Sequence, residues 1–309
     1  MISYVVPVFN EQESLTPFYK ELKNTIMKFK EKSEIIFVDD GSTDFSLKLL
    51  KDLAKKDKTI RVFSFRKNQG KAEALTLGFQ RAGGKYIVTL DADLQDRPTE
   101  INKLLKVING QWDMVSGWRY KRQDSTRKVI SSKFFNYLAR NFWGLQLHDY
   151  NCGLKAYTAE CAKSLRLYGG FHRFIPLLAH QEGFQVTEVP IEHDKRKYGK
   201  SKFGFSKVWK DLPDIFTMLF LYKYSKRPMH FFGILGGIIF LIGLLILIYL
   251  AVVHFIGYSI GDRPLLLYGM LFMIAGLQSF LTGFLADLII NTSAKEITHH
   301  PLRFSTDAR

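Results

Sequence analysis

Val88-Thr89-Leu90-Asp91-Ala92-Asp93-Leu94-Gln95-Asp96 runs from an apolar strand into two carboxylates spaced i, i+2, with a side-chain amide two residues on. Alternate residues at a strand end point the same way, so Asp91 and Asp93 can converge on one hard cation and Gln95 can add a neutral oxygen. Mg²⁺ or Mn²⁺ typically takes one or two protein carboxylates and completes its shell with phosphate oxygens and water. In open α/β sheets, nucleotides bind at the carboxyl ends of the strands. Alone, Asp-x-Asp reads equally well as a solvated loop after a buried strand. Its surroundings decide.

Upstream and downstream, the first 120 residues alternate apolar strands with amphipathic helices. Strands are predicted at Ile2–Val8, Glu34–Val38, Ile60–Phe65, Lys85–Leu90 and Asp113–Gly117. Leu15, Phe18, Leu22, Ile26 and Phe29, then Leu47, Leu50, Leu53 and Ala54, recur at helical spacing between them. Strand starts fall 25 to 32 residues apart, the length of a βα unit. A mostly parallel, right-handed doubly wound sheet follows. Ser42-Thr43-Asp44 and Asn68-Gln69-Gly70 stand where they would cap the second and third helices. Between about 119 and 200 the pattern loosens, which predicts a mixed completion of the domain.

The C-terminal part differs in kind. Phe231 to Ile256 is 26 residues without a charge and Leu265 to Ala286 is 22 more, each longer than the roughly 20 needed to span a bilayer. Lys223, Lys226 and Arg227 precede the first segment, and Lys295, Arg303 and Arg309 follow the second, while the connector carries only Asp262 and Arg263. By the positive-inside rule both termini lie in the cytoplasm, in agreement with an N-terminus that opens on a strand rather than an export segment. Gly233, Gly236, Gly237 and Gly243 permit close helix packing, including a homo-oligomer. Asp287 falls at the cytoplasmic end of the second span.

The formal charge of +15 is concentrated beside the membrane, with seven Lys/Arg and no acid in residues 195–210. Such clusters bind anionic headgroups. Residues 203–222 place Phe205, Val208, Trp209, Leu212, Ile215, Phe216, Leu219 and Phe220 on one face, the pattern of a helix lying in the interface and broken near Pro213. Nucleic acid is excluded as a partner: there is no zinc pattern, RNA-binding aromatic motif or basic helix dimer. Cys152 and Cys161, both in the cytoplasmic part, read as reduced thiols.

Four strand ends carry chemistry: Pro7-Val8-Phe9-Asn10-Glu11, Asp39-Asp40-Gly41-Ser42-Thr43-Asp44, Arg66-Lys67-Asn68-Gln69-Gly70-Lys71, and Asp91-Ala92-Asp93. Carboxylates suit ribose hydroxyls and base N–H groups, whereas lysines and helix N-termini suit phosphates.

In this order the motifs resemble an inverting family 2 glycosyltransferase of GT-A fold. With Gly117-Trp118-Arg119, Asp149-Tyr150-Asn151-Cys152-Gly153-Leu154-Lys155, Arg196-x-x-Gly199-x-Ser201-Lys202 and two C-terminal spans, the chain is similar to polyprenyl-phosphate glycosyltransferases. These include dolichyl-phosphate mannose synthases and bacterial undecaprenyl-phosphate glucosyl- and aminoarabinosyltransferases. The resemblance implies a GT-A (Rossmann-like), mostly parallel α/β domain at 1–202, juxtamembrane amphipathic helices at 203–228, two transmembrane helices within 229–291 and a cytoplasmic tail at 292–309. It implies an enzyme of the inner (cytoplasmic) membrane. That enzyme moves a hexose from a UDP- or GDP-sugar to undecaprenyl phosphate, with Mg²⁺ or Mn²⁺ as cofactor.

Position by position, the resemblance implies that Pro7, Phe9, Glu11, Asp40, Lys71 and Asp91 hold the nucleotide sugar. Asp91, Asp93 and Gln95 would bind the metal on the diphosphate. Arg119, Arg127, Arg196 and Lys202 would meet the phosphates, Arg119 and Arg127 on the acceptor side. Asp93, Asp149 and Arg119 would be the catalytic set, with Asp149 where the family has a carboxylate proposed as base. That role is open on chemical grounds, because a phosphate monoester is already largely dianionic at pH 7. His148, His172 and His193 read as structural. UDP-glucose is the donor expected from the two-span branch, with GDP-mannose, UDP-aminoarabinose and UDP-GalNAc as alternatives. A processive polysaccharide synthase would carry Gln-x-x-Arg-Trp, which the chain lacks. An inactive membrane scaffold is the non-enzyme alternative.

Overall fold

The computed structural model describes residues 1–108, 110–120, 144–194, 217, 220, 224, 227–292 and 302–305. Arg127, Arg196, Lys202, the basic run at 195–210 and most of the expected interfacial helix at 203–222 lie outside the described residues. The chain divides into two compact units, Met1–Asp214 with His299–Arg309, and Ile215–Thr298.

In the first unit, β1 (Ile2–Val8), α1 (Leu15–Ile26), β2 (Ser33–Asp39), α2 (Ser46–Lys56), β3 (Ile60–Phe65), α3 (Lys71–Arg81) and β4 (Tyr86–Thr89) follow the predicted alternation. After them come α4 (Ile101–Val107), β5 (Met114–Arg119), β6 (Lys155–Thr158), α5 (Ala159–Ser164), α6 (Ile175–Gln181) and β7 (Val186–Ile191). The described strands lie in the order β7-β5-β6-β4-β1-β2-β3-β8, where β8 is Leu302–Ser305. β1 pairs in parallel with β2 and β4, β2 with β3, and β5 with β7, whereas β6 runs antiparallel between β4 and β5. β8 runs antiparallel to β3, so part of the expected tail forms an edge strand of this sheet.

The strand order reverses between β1 and β4, where an open α/β sheet offers its crevice. The β1–β4 ladder ends at Val5↔Thr89, while β1–β2 continues to Val8↔Asp39. Val5 accepts a bond from Leu90 N, so odd-numbered residues of β1 face β4. Pro7, which has no N–H to donate, therefore sits just past the point where β4 needs a partner. The two strand ends part there. The core beneath is dense: Tyr4, Val6, Phe18, Leu22, Phe37, Val62 and Val88 are all fully buried. α3 approaches so closely that a Cβ on Gly78 would fall 2.2 Å from Val5 Cγ1.

The expected caps are only partly realised. Asp44 accepts from Ser46 N at 2.9 Å at the start of α2, but α3 begins at Gly70 without a side-chain cap. The two N–H groups just before α3, of Gln69 and Gly70, go to Asp40, a partner about thirty residues away that no local rule could name.

The second unit holds two long apolar helices, α7 (Pro228–Phe255) and α8 (Pro264–Thr292), each long and apolar enough to cross a membrane. They pack antiparallel along a glycine seam. A Cβ on Gly236 would lie 2.6 Å from Gly276 O, one on Gly276 2.5 Å from Phe240 N, and one on Gly243 2.6 Å from Met273 N. Gly237 has open space around it and Gly233 meets only Met229 of its own helix, so the four glycines of the first span divide into two in the seam and two outside it. Gly276→Val should push the backbones apart at a cost of about 1–3 kcal/mol, with Gly237→Val near neutral. Thermal unfolding of the detergent-purified full chain checks the pair; equal melting points for the two variants would contradict this packing.

Candidate active site

The β1–α1 and β2–α2 loops are laced together before any ligand arrives. Asn10 takes φ 52°, a left-handed conformation that Asn tolerates better than most residues. Its Oδ1 accepts from Thr43 N, while Ser42 and Ser46 hydroxyls accept from Asn10 N and Glu11 N. Pro7, Phe9 and Glu11 stand half-buried at this rim. Gly41, at φ 68°, lets the β2–α2 loop touch the β3–α3 loop: a Cβ there would lie 2.5 Å from the Lys67 carbonyl carbon.

Asp40 ties the β2–α2 loop to the β3–α3 loop. Its Oδ1 accepts from Gln69 N at 2.7 Å and its Oδ2 from Asn68 Nδ2 at 2.9 Å, with Gly70 N near both. Burial raises its pKa, and the Gln69 and Gly70 N–H groups pull it back without cancelling the effect. A carboxylate offers about four lone-pair sites, so a base or ribose donor can still be accepted beside these bonds.

At the end of β4, Lys71 Nζ donates to Asp91 Oδ1 at 2.5 Å, both side chains being about one-third exposed. Burial would raise the Asp91 pKa, but the Lys71 charge and hydrogen bond outweigh it and hold the carboxyl below its ordinary range. Asp93 is 8% exposed and accepts from Gln95 N at 3.2 Å. Leu94 between them sits at φ 57°, a conformation that costs a branched residue of order 1–3 kcal/mol and turns the chain tightly at the loop. Strain of this kind clusters at ligand sites.

The third wall is the segment 144–154. Asp149, 2% exposed, takes Arg119 in a fork: Nε to Oδ2 at 2.6 Å and a terminal nitrogen to Oδ1 at 3.0 Å. Arg119 also donates to Asn151 O at 3.2 Å. Burial opposes the guanidinium charge, yet Asp149 more than compensates and raises the Arg119 pKa.

Several residues with no role in the sequence reading support this wall. Glu188 on β7 accepts from His148 N at 2.8 Å and Asp149 N at 3.2 Å, and also contacts the His148 ring. His148 stacks on Trp118 with centroids 4.1 Å apart. Asp96 Oδ2 accepts from Gly153 N and Leu154 N, each at 3.2 Å, tying the Asp91–Gln95 loop to the entry of β6. Arg97 extends that tie to Asp194 through two bonds of 2.7 and 2.8 Å. Cys152 and Cys161 are buried free thiols, as expected, and burial lifts both pKa values. Glu188 and Asp96 have no local signature because their partners lie 39 and 57 residues away.

The structure thus brings Asp91 and Asp93 together on one loop, with Lys71 on the first and Gln95 on the second, and seats Arg119 on Asp149. The donor set is two carboxylates and an amide, hard oxygens that suit Mg²⁺ or Mn²⁺. Gly153 leaves room: a Cβ there would lie 2.6 Å from Asp91 Oδ2 and 3.1 Å from Asp96 Oδ2. The residues fit a divalent cation.

A doubly wound sheet with paired carboxylates at its switch point suits a nucleotide bound together with a divalent cation. Residues 3–166 match the model described as Glycosyl transferase family 2, and the chain belongs to that family of glycosyltransferases. Dodecaprenyl-phosphate galacturonate synthase of Rhizobium johnstonii is 35% identical over 94% of this chain and 88% of its own length. Undecaprenyl-phosphate 4-deoxy-4-formamido-L-arabinose transferase of Proteus mirabilis is 32% identical over 93% of the chain and 88% of its own. Among solved structures, glucosyl-3-phosphoglycerate synthase of Mycobacterium tuberculosis, in complex with Mn²⁺ and UDP-glucose, superposes with a TM-score of 0.56 at 18% identity, over 72% of this chain and 78% of that one. That likeness establishes the fold.

Proposed function

We propose that the enzyme transfers a sugar from a nucleoside diphosphate sugar to the phosphate of a polyprenyl phosphate, with inversion. What carries this is one chain joining a carboxylate-lined nucleotide crevice to an apolar helix pair. A membrane-held acceptor is the reason for such a union, and both relatives bear polyprenyl-phosphate names over more than nine-tenths of this chain.

Asp91, Asp93 and Gln95 would hold the divalent cation, which when bound neutralises charge on the departing diphosphate. Pro7, Phe9, Glu11 and Asp40 frame the nucleoside, and Lys71 stands at the diphosphate beside Asp91. Arg119 offers its remaining donors to the acceptor phosphate, with Arg127, Arg196 and Lys202 as further cations for the two clustered anions. Asp149 orients Arg119: the acceptor has little need of a base, since the second pKa of a phosphate monoester is near 6.

The catalytic unit faces the cytoplasm at the inner membrane in this proposal. The chain leaves the first unit, passes through two helices and supplies β8 to the edge of β3, which an even number of crossings permits. A UDP donor is favoured over GDP by the resemblance. Glucose, expected from the two-span pattern alone, is not the sugar that either relative's name prints.

The test is a purified-enzyme assay with undecaprenyl phosphate, Mn²⁺ or Mg²⁺ and a panel of UDP- and GDP-sugars, reading nucleoside diphosphate release. Release that depends on the lipid phosphate and on one donor is expected. Silence across the panel with folded, metal-loaded protein would point first to an unusual donor and second to the scaffold.

A further inference from the structure

Asp91 has two claims on it. It is a proposed metal ligand, and its Oδ1 already accepts from Lys71 Nζ at 2.5 Å. The Lys71 charge is the strongest of the influences that hold the Asp91 carboxyl low against burial. A dication coordinated to Asp91 would stand within a few ångströms of that ammonium, well inside the ~10 Å over which surface charges act on one another. Like charges so placed repel. One of the two cations has to give way.

Lys71 is placed to move. It is the first residue of α3, its side chain is about one-third exposed, and Asp91 is its one side-chain acceptor among the described residues. A lysine carries three donors on a flexible four-carbon stem and binds phosphate as a point charge. The other lysine beside Asp91, Lys155, is 3% exposed and gives its ammonium to the Cys152 carbonyl, so it is anchored where Lys71 is not. The Gln69 and Gly70 N–H groups at the same helix start are held by Asp40. The group at this corner that can swing between a carboxylate and a phosphate is therefore the Lys71 ammonium.

We propose that Lys71 is an exchangeable counter-ion of the metal site. It neutralises Asp91 until a nucleoside diphosphate draws its ammonium onto the phosphates, and the released carboxylate then takes the divalent cation. Metal and nucleotide bind as a coupled pair, each tightening the other by the same factor. The inference rests on the proposed metal and nucleotide-sugar reading and adds to it the coupling between the two ligands.

Mn²⁺ titrations of the full-length enzyme, followed by the paramagnetic resonance signal of the free ion, test this without turnover. They are run with no nucleotide and with saturating UDP or GDP. The wild type should bind Mn²⁺ about tenfold or more tightly with one of the nucleotides present. Equal Mn²⁺ binding with and without either nucleotide overturns the proposal. Direct ligation of the metal by the diphosphate also predicts tightening, so the Lys71 variants decide between them. Lys71→Met should bind Mn²⁺ alone about fivefold or more tightly than the wild type, and should bind the nucleotide more weakly at saturating Mn²⁺. Lys71→Arg, which keeps the charge, should show no such gain for the ion alone. Lys71→Gln is the second uncharged variant and takes the place of Lys71→Met if that one does not fold. Mn²⁺ affinity unchanged or reduced in the uncharged variants overturns the exchange, because a lysine that only meets phosphate, or only braces Asp91, gives those results. That failure leaves the metal reading standing. Equal Mn²⁺ binding by the wild type and Asp93→Asn would instead remove the metal site, and the proposal with it.

Discussion

Asp93→Asn is expected to lower kcat by about 10³-fold or more at saturating donor and acceptor. The substitution is nearly isosteric. Asparagine keeps an Oδ1 to accept from Gln95 N, so the tight turn through Leu94 has the same support as in the native loop. What disappears is one negative charge, beside a carboxylate whose other partner is the Lys71 ammonium. A loop change would show as altered unfolding; a metal defect shows as lost turnover at an unchanged melting point, together with a steeper requirement for Mn²⁺. Titrating Mn²⁺ and Mg²⁺ against nucleoside diphosphate release reads both. Metal-dependent turnover near wild type in this variant would remove Asp93 from the metal site. The same assay after chelation should give no release with the native enzyme, restored by adding back either ion.

How much of this was legible beforehand depends on the range of the forces involved. β1 and β3 match their predicted bounds because Ile2–Val8 and Ile60–Phe65 are mostly apolar runs, interrupted only by Ser3, Arg61 and Ser64, and largely buried on both faces of the sheet. α1 and α2 follow from side chains spaced three and four apart, a signal contained in a dozen residues. β6 was hidden because Lys155-Ala156-Tyr157-Thr158 is too short to show a period and is a strand only through its antiparallel neighbours. β8 is a strand for the same reason: four residues find the open edge of β3.

The site divides along the same line. The i, i+2 spacing of Asp91 and Asp93 is local, and so was readable. That Asp40 serves the start of α3, that Glu188 fixes Asp149, and that Asp96 holds the Gly153 turn are contacts across 29 to 57 residues, which pattern alone does not carry.

Asp149→Asn tests what the buried ion pair is for. Asp149 cannot be a freely presented base in this arrangement: both oxygens carry the Arg119 fork, Oδ1 also takes Asn151 N, and its own N–H is tied to Glu188. Removing the charge leaves a buried guanidinium half-paired; breaking such a pair in a core costs about 3–5 kcal/mol, and less where, as proposed above, an acceptor phosphate would face Arg119. The expected result is a fall of about 100-fold in kcat/KM for the lipid phosphate, mostly in KM, with the shape of the pH profile retained. A required base predicts the opposite split, with kcat reduced by several powers of ten at an unchanged lipid KM and the acid limb of the profile abolished. A cycle with Arg119→Gln sharpens the choice. If Asp149 acts only through Arg119, the double variant is no worse than Arg119→Gln alone, because there is no guanidinium left to orient. Full additivity of the two losses would mean that Asp149 touches the reaction itself, and the orienting role would have to be abandoned.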